Sequence, residues 1–443
     1  MKGPTQMSDS LLSRPVDRRA LLRTGMLGAL GLAAAPALAA CGGSAPGGSS
    51  GSGSVSWAAW ANPGEGERYK KFAEELSKKI NAKVSFQAVV GDYEAKLLSQ
   101  LAGGAAPDAF YVGDGQMAKF IGAKQVSDLS DYLSGGKSPV KLEEFPEGLY
   151  QWCKGADGTG LYGLPVDCNP SVLWFNKDVL SAAGVSSDPA QLFDGGTWNF
   201  DAFTDALDKV RGSGKKGLIL SNWWFNWAWA VTAFGGTLQD ESGKIVFADD
   251  PKAQEGLGWL LEQFKSGNIT YAGSLPKGQS GDALFLAGQL AFNNVGRWAL
   301  PTLKSVKFGY DIAPLPSPTG KDIMPAPVAT AAIALNAKAK NREKALELIG
   351  NYVSKEGQQF RLSGGGNAVA SVKGLDGLAT EGGVPAHGKL FNEVVAKGYA
   401  MPNAFVSKAK TATELPTLVD KLFKNPSTTA ASFSEAVSKL VNG

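Results

Sequence analysis

Between Val55 and Val112 the chain alternates segments of two different periodicities, and that alternation limits the possible folds more than any other feature. Val55–Trp60 reads as a strand, Glu65–Ile80 as a helix with Tyr69, Phe72, Leu76 and Ile80 on one face, and Val84–Val90 as a second strand. Asp92–Leu101 reads as helix again, and Asp108–Val112 as a third strand. Strands joined by helix-length connections pair in parallel, because a parallel crossover must span the sheet before the next strand begins. The expected fold class is therefore α/β, and in such sheets ligands gather at the carboxyl ends of the strands. Residues 55–443 are enough for two domains and two cores.

The strand ends carry chemistry. Trp57 and Trp60 lie in the first strand and its exit, and Gly113-Asp114-Gly115 follows the third. The match of Gly113, Gly115 and Ala118 to a dinucleotide fingerprint is rejected, since it follows the third strand instead of opening the unit. Asp114 reads either as a helix cap or as a carboxylate aimed into a cleft, where it would accept hydrogen bonds from hydroxyl groups; the second reading is preferred.

The N-terminus places the chain. Residues 1–40 combine a basic head, Asp17-Arg18-Arg19-Ala20-Leu21-Leu22-Arg23, with an uncharged run from Thr24 to Ala40, too short to span a bilayer comfortably; they read as an export signal. The paired Arg18-Arg19 fits the twin-arginine route and the general route alike. Leu38-Ala39-Ala40-Cys41 resembles a lipobox, so Cys41 is expected to carry a lipid anchor outside the cytoplasmic membrane. Gly42–Ser54, mostly Gly and Ser, reads as a flexible tether of roughly 20 Å reach. Five of the 44 basic and two of the 41 acidic residues precede Cys41, leaving 39 of each in the mature chain. A neutral body offers no electrostatic reason for a nucleic-acid or other polyanionic partner.

Of eleven tryptophans, four fall within Asn222-Trp223-Trp224-Phe225-Asn226-Trp227-Ala228-Trp229. Indole faces pack against the C–H face of a pyranose, and Asn or Asp side chains replace the water lost by its hydroxyls. Helical spacing alone would bury Trp223, Trp227 and Phe234 and leave Trp224 for other work. Four indoles overfill one buried stripe, so at least one is expected to line a cleft. Cys153 and Cys168 are expected to form a disulfide closing a loop of about fifteen residues, worth roughly 3 kcal/mol, with two buried thiols as the alternative. The single histidine, His387, has no partner at metal spacing and reads as a surface residue, and no phosphate-binding loop is present, so neither metal nor cofactor is expected.

A longer series of motifs carries a resemblance. It comprises Leu161-Tyr162-Gly163-Leu164-Pro165-Val166-Asp167, Leu173-Trp174-Phe175-Asn176-Lys177-Asp178 through Gly184-Val185, and Thr197-Trp198-Asn199-Phe200-Asp201. It continues with Phe285–Trp298, Asn341-Arg342-Glu343-Lys344-Ala345, and Ser354-Lys355-Glu356-Gly357. In order and spacing these resemble the maltose-binding-protein type of extracellular solute-binding proteins, which serve ATP-driven (ABC) sugar importers. The resemblance implies two α/β lobes, each a mainly parallel sheet flanked by helices, joined by crossings near Val166–Cys168, Ala291–Val295 and Asn351. The N-terminal lobe would comprise 55–167 and 294–350, the C-terminal lobe 168–293 and 351–443.

On the same template Trp60, Asp114, Asp167, Trp223, Trp224, Asn294, Gly296 and Trp298 are the expected sugar-binding residues. The segment Gly364-Gly365-Gly366-Asn367 either approaches ligand or is simply a loop. A monomer that passes a sugar or oligosaccharide to a membrane permease is implied, without catalysis. The alternative is a lipid-anchored glycoside hydrolase or lyase working through two carboxylates in an aromatic cleft.

Overall fold

A computed structural model describes residues 53–443 apart from 62, 90 and 278. The export signal, Cys41 and the tether up to residue 52 lie outside the described residues. Ten strands are present among those described: β1 (Ser54–Trp60), β2 (Lys83–Val89), β3 (Ala109–Gly113), β4 (Leu164–Pro170), β5 (Val172–Asn176), β6 (Leu218–Leu220), β7 (Ile269–Tyr271), β8 (Phe292–Val295), β9 (Tyr310–Ala313) and β10 (Val328–Leu335). They form a five-stranded sheet in the order β2-β1-β3-β10-β4, a three-stranded sheet β8-β5-β9, and a pair β6-β7.

The first sheet follows the alternation in the sequence. β1 runs parallel to β2 and β3, and the helices Pro63–Lys79 and Tyr93–Ala102 fill the two connections. The first helix buries Tyr69, Phe72 and Leu76, with Ile80 buried just past its end, and a fully buried Phe, Leu or Ile is worth about 1.5–3 kcal/mol in apolar transfer. The second starts where the Asp92 carboxylate accepts a hydrogen bond from the Ala95 amide at 3.0 Å. β10 enters antiparallel between β3 and β4, so β1, β3 and β4 end on the same edge where β10 begins. In that register Ala331 lies opposite both Gly113 and Asp167, and a bulge between Ala331 and Ala332 bends the edge beside the strand ends.

The second and third sheets form the other lobe. There, Gly256 of helix Pro251–Ser266 lets that helix meet helix Trp224–Ala233 at backbone distance, since a Cβ on Gly256 would come within 1.8 Å of the Ala230 carbonyl oxygen. Several motifs behind the resemblance are local structural devices. Asn176, Asn199 and Asn341 each cap a helix by accepting backbone N–H groups. Arg297, fully buried, donates to the carbonyls of Gly366, Ala368, Leu378 and Ala379 and fastens the segment after β8 to a loop of the chain that follows β10.

Strand pairing corrects the expected crossings. β4 lies wholly in the first sheet and β5 in the second, which puts the first crossing at Ser171 instead of Val166–Cys168. β9 pairs with β5, so residues 294–313 stay with the second lobe, and the return falls between Ala313 and Val328, not at Ala291–Val295. Helix Lys355–Leu362 packs on helices Pro63–Lys79 and Arg342–Val353, and Val369 pairs with Cys168, so the chain has not left the first lobe at Asn351. These pairings join residues far apart in sequence, where no local pattern marks the exchange.

The expected disulfide is absent. Cys153 and Cys168 are free thiols, both fully buried. The Cys153 carbonyl accepts from the Tyr162 amide at 2.9 Å, and beyond Tyr162 the strand β4 carries the chain away at about 3.3 Å per residue. Cys168 sits well along that strand, its thiol donating to the Ala370 carbonyl at 3.6 Å. Short sequence separation permitted the ring; strand direction prevents it.

Candidate functional site

At the common edge of the first sheet, facing the second lobe, lies a cavity of about 830 Å³. That is within the roughly 300–1,000 Å³ of small-molecule sites. The first lobe contributes Trp60 at the exit of β1, Asp114 after β3, and Asp167 and Asn169 from β4; Glu65 and Asn367 stand beside them. The second lobe contributes Trp223, Asn294, Trp298, Phe285 and Asp282. Six of the eight expected residues therefore meet in one cavity: Trp60, Asp114, Asp167, Trp223, Asn294 and Trp298.

The other two support it from behind. Trp224 is 3% exposed and is not a lining residue, yet its indole N–H donates to Asp114 Oδ2 at 2.9 Å, joining the two lobes. Gly296 is a packing glycine: a Cβ there would come within 2.3 Å of the Trp298 ring and 2.6 Å of Asn169. Its carbonyl accepts from the Trp174 indole at 3.0 Å. Helical spacing assigns Trp223 to the core and Trp224 to other work; the helix begins at Trp224, and Trp223 precedes it in extended backbone, which reverses the two. Trp227 and Trp229 are core.

Aromatic faces stand on both sides. Trp60 meets Tyr93 and Tyr111 edge-on at 5.1 and 5.2 Å, which fixes its ring. Opposite, Trp223 stacks on Phe225 at 4.7 Å and lies 6.1 Å from Trp298.

The carboxylates differ in their settings. Asp114, 6% exposed, is pushed up to about 6 by burial, against the opposing hydrogen bonds of the Trp224 indole, the Gly115 amide and the Trp223 indole. Burial also raises Asp167, and Arg361 opposes that shift from 3.4 Å. Arg361 is itself held by the Val166 carbonyl at 2.7 Å and lies 4.0 Å over the Tyr352 ring. Asn294 directs its amide to Ser171 Oγ at 2.8 Å and the Val172 carbonyl at 3.3 Å, pinning β8 to the first crossing. Asn367 donates to Glu65 at 2.6 Å; its Oδ1, like that of Asn169, is buried with no hydrogen-bond partner.

Glu65, Asn169 and Asp282 were not expected at the site, and Asn367 belongs to the segment for which ligand approach and a plain loop both stood open. Glu65 reads in sequence as ordinary first-turn charge, and Asn169 lies only two residues beyond the chosen Asp167. Asn367 follows the Gly-rich segment, whose Gly364 and Gly365 turn at positive φ; the segment is a loop that also delivers one side chain to the cavity. His387 is not simply a surface residue: its ring contacts Asp311 at 2.9 Å and Asp194 at 3.3 Å with 30% of the side chain exposed. Among the described residues no group of His, Cys, Asp and Glu is arranged to hold a metal ion, and no helix is long and apolar enough to cross a membrane.

Residues 33–359 match the family of bacterial extracellular solute-binding proteins. The chain belongs to that family. A relative from Streptomyces antibioticus, an uncharacterised lipoprotein from the region 5′ of oleD, is 29% identical over 139 residues; the chain spans only 28% of that relative's length, and the match covers 30% of this chain. The fold is also similar to an ABC substrate-binding protein of Listeria monocytogenes in complex with cycloalternan, with TM-score 0.72 and 18% identity over 88% of this chain and 98% of that one. Maltose-bound MalE3 of Thermotoga maritima gives 0.67, 18%, 88% and 99%. The GacH receptor of Streptomyces glaucescens, solved unliganded and with acarbose, gives 0.66, 18%, 88% and 98%. Within this shared two-lobed architecture, the cavity of the binding protein lies where its lobes face each other.

Proposed function

We propose that this binding protein captures a sugar or oligosaccharide between its lobes, closes on it by rotation at the crossings, and delivers it to the permease of an ABC importer. The observation that carries the reading is the convergence of Trp60 from one lobe with Trp223 and Trp298 from the other around buried carboxylate and amide oxygens. Indole faces suit the C–H faces of sugar rings, and the oxygens accept hydroxyl donors. The cycloalternan, maltose and acarbose named with the similar structures agree with it.

In this reading Cys41 carries the lipid that keeps the protein at the outer face of the cytoplasmic membrane, the protein is a monomer without cofactor, and it performs no catalysis. In the same reading the lobes exchange chain at Ser171, again between Ala313 and Val328, and a third time after Val369, since helix Ala430–Asn442 packs on helix Pro251–Ser266.

Thermal-shift screening of the purified mature protein against mono- and disaccharides tests the proposal. A guest at one hundred times its Kd adds about 2.7 kcal/mol of stability. At least one sugar is expected to raise the Tm by several degrees and to be recovered uncleaved after long incubation. A silent panel, or conversion of the sugar to products, would overturn the reading.

A further inference from the structure

The cavity carries a marked imbalance of charge. Among its described lining residues are four carboxylates, Glu65, Asp114, Asp167 and Asp282, and no Lys, Arg or His. Asp167 has a buried cationic partner in Arg361. Asp114 is different: its donors are the Trp224 and Trp223 indoles and backbone amides, all neutral. Asp282 receives the Asn293 amide at 2.8 Å, also neutral.

Two further acceptors, the Oδ1 atoms of Asn169 and Asn367, lack donors, and these residues are only 7% and 5% exposed. A carboxylate keeps lone pairs available after accepting one indole N–H, whereas an ammonium group has three donors and no acceptor. A neutral sugar hydroxyl brings an acceptor together with each donor and leaves the charge uncompensated. A sugar bearing a protonated amine supplies donors and charge together, and in a partly desolvated site a close charge pair contributes more than it would in water.

We infer that the preferred guest is an amino sugar whose ammonium group is held at Asp114 between the two lobes, with Asp282 adding to the attraction at the mouth. The inference rests on the sugar reading above and narrows it.

Isothermal titration with matched saccharides tests it: glucose, glucosamine and N-acetylglucosamine, and the β-1,4-linked disaccharides built from each, with putrescine as a sugar-free amine. The amine-bearing sugars are expected to bind at least about tenfold tighter than their hydroxyl and acetamide counterparts. That preference should shrink between about 20 and 200 mM salt, where the screening length falls from roughly 20 to 7 Å. In Asp114→Asn the ratio of amine to hydroxyl affinity should fall below about threefold, whatever loss is common to both.

Equal or tighter binding of the neutral members overturns the amine inference and leaves the sugar reading standing. Putrescine binding with no saccharide binding at all overturns both. If Asp114→Asn does not fold, Asp282→Asn and the salt series on the unaltered protein decide: an amine preference unmoved by either overturns the inference.

Discussion

Asp114 holds an unusual position for a carboxylate that is to bind a guest, because the fold raises its pKa instead of lowering it. Burial is the cause, and the indole of Trp224 offsets it only in part. With a folded value of about 6 against an ordinary 3.8, the native state binds a proton more tightly than the unfolded chain between those two values. Stability therefore falls as pH rises through that window, and above it the buried charge costs on the order of 3 kcal/mol. Asp114→Asn keeps an oxygen for the Trp224 indole and removes the charge. At pH 7 this variant is expected to be about 1 to 3 kcal/mol more stable than the parent, roughly 1 °C per kcal/mol in a chain of this size, with the gain vanishing near pH 4. Urea or thermal unfolding at the two pH values checks this. A variant less stable than the parent at pH 7 would mean that the carboxylate is satisfied in the ligand-free protein, and the case for a cationic guest at that oxygen would weaken with it.

Between elements, His387 makes the contact most open to test. It precedes the helix Lys389–Lys397 and reaches to Asp311 on β9 and to Asp194 at the end of helix Pro189–Asp194, while Lys177 approaches Asp311 at 3.5 Å and Asp188 at 3.6 Å. Partial burial opposes protonation, but Asp311 and Asp194 together hold the imidazole above its ordinary 6.5. A raised histidine contributes stability that is complete below about 6.5 and is lost as pH rises through the folded value. Because the chain has a single histidine, one imidazole NMR signal reports it directly. Its midpoint is expected above 6.5, and His387→Gln should flatten the decline in Tm from about pH 6 to 8; a midpoint at or below 6.5 would contradict the ion pairing.

Such links also mark what could be read from the sequence. The helices Pro63–Lys79 and Tyr93–Ala102, and strands such as β1, were legible to within one or two residues because caps and periodicity are local. The place of β9 beside β5, the bond from Trp224 to Asp114 and the arrival of Asn367 at the cavity were not. Each depends on residues that meet only after the chain has crossed between lobes. The exchange of roles between Trp223 and Trp224 turned on a single residue at the helix start, a boundary that hydrophobic spacing does not define.

At the scale of the whole molecule, the absence of a covalent tie near the first crossing changes what holds the first lobe together where the chain leaves it. β4, β10 and the buried Arg361–Asp167 pair carry that region, with Cys153 and Cys168 acting as small apolar side chains within it. Burial raises both thiols, with nearby Asp114 adding to the effect on Cys153 and Asp167 to that on Cys168, so neither is a ready thiolate in the folded state. With Cys41 replaced by Ser so that it does not contribute, thiol-reactive dye under non-reducing conditions should find no accessible thiol in the native protein and two after unfolding. Reducing agent should leave the Tm unchanged. A disulfide closing a loop of that length would contribute about 3 kcal/mol, so its loss would lower the Tm by several degrees, well outside measurement error. A reductant-dependent Tm, or zero thiols in the unfolded unreduced chain, would show that the two cysteines are joined and that β4 does not run as described. It would also mean that motion between the lobes turns on a cross-linked crossing, whereas the structure places there backbone pairing, the buried Arg361–Asp167 pair and the Asn294 amide on Ser171 and Val172.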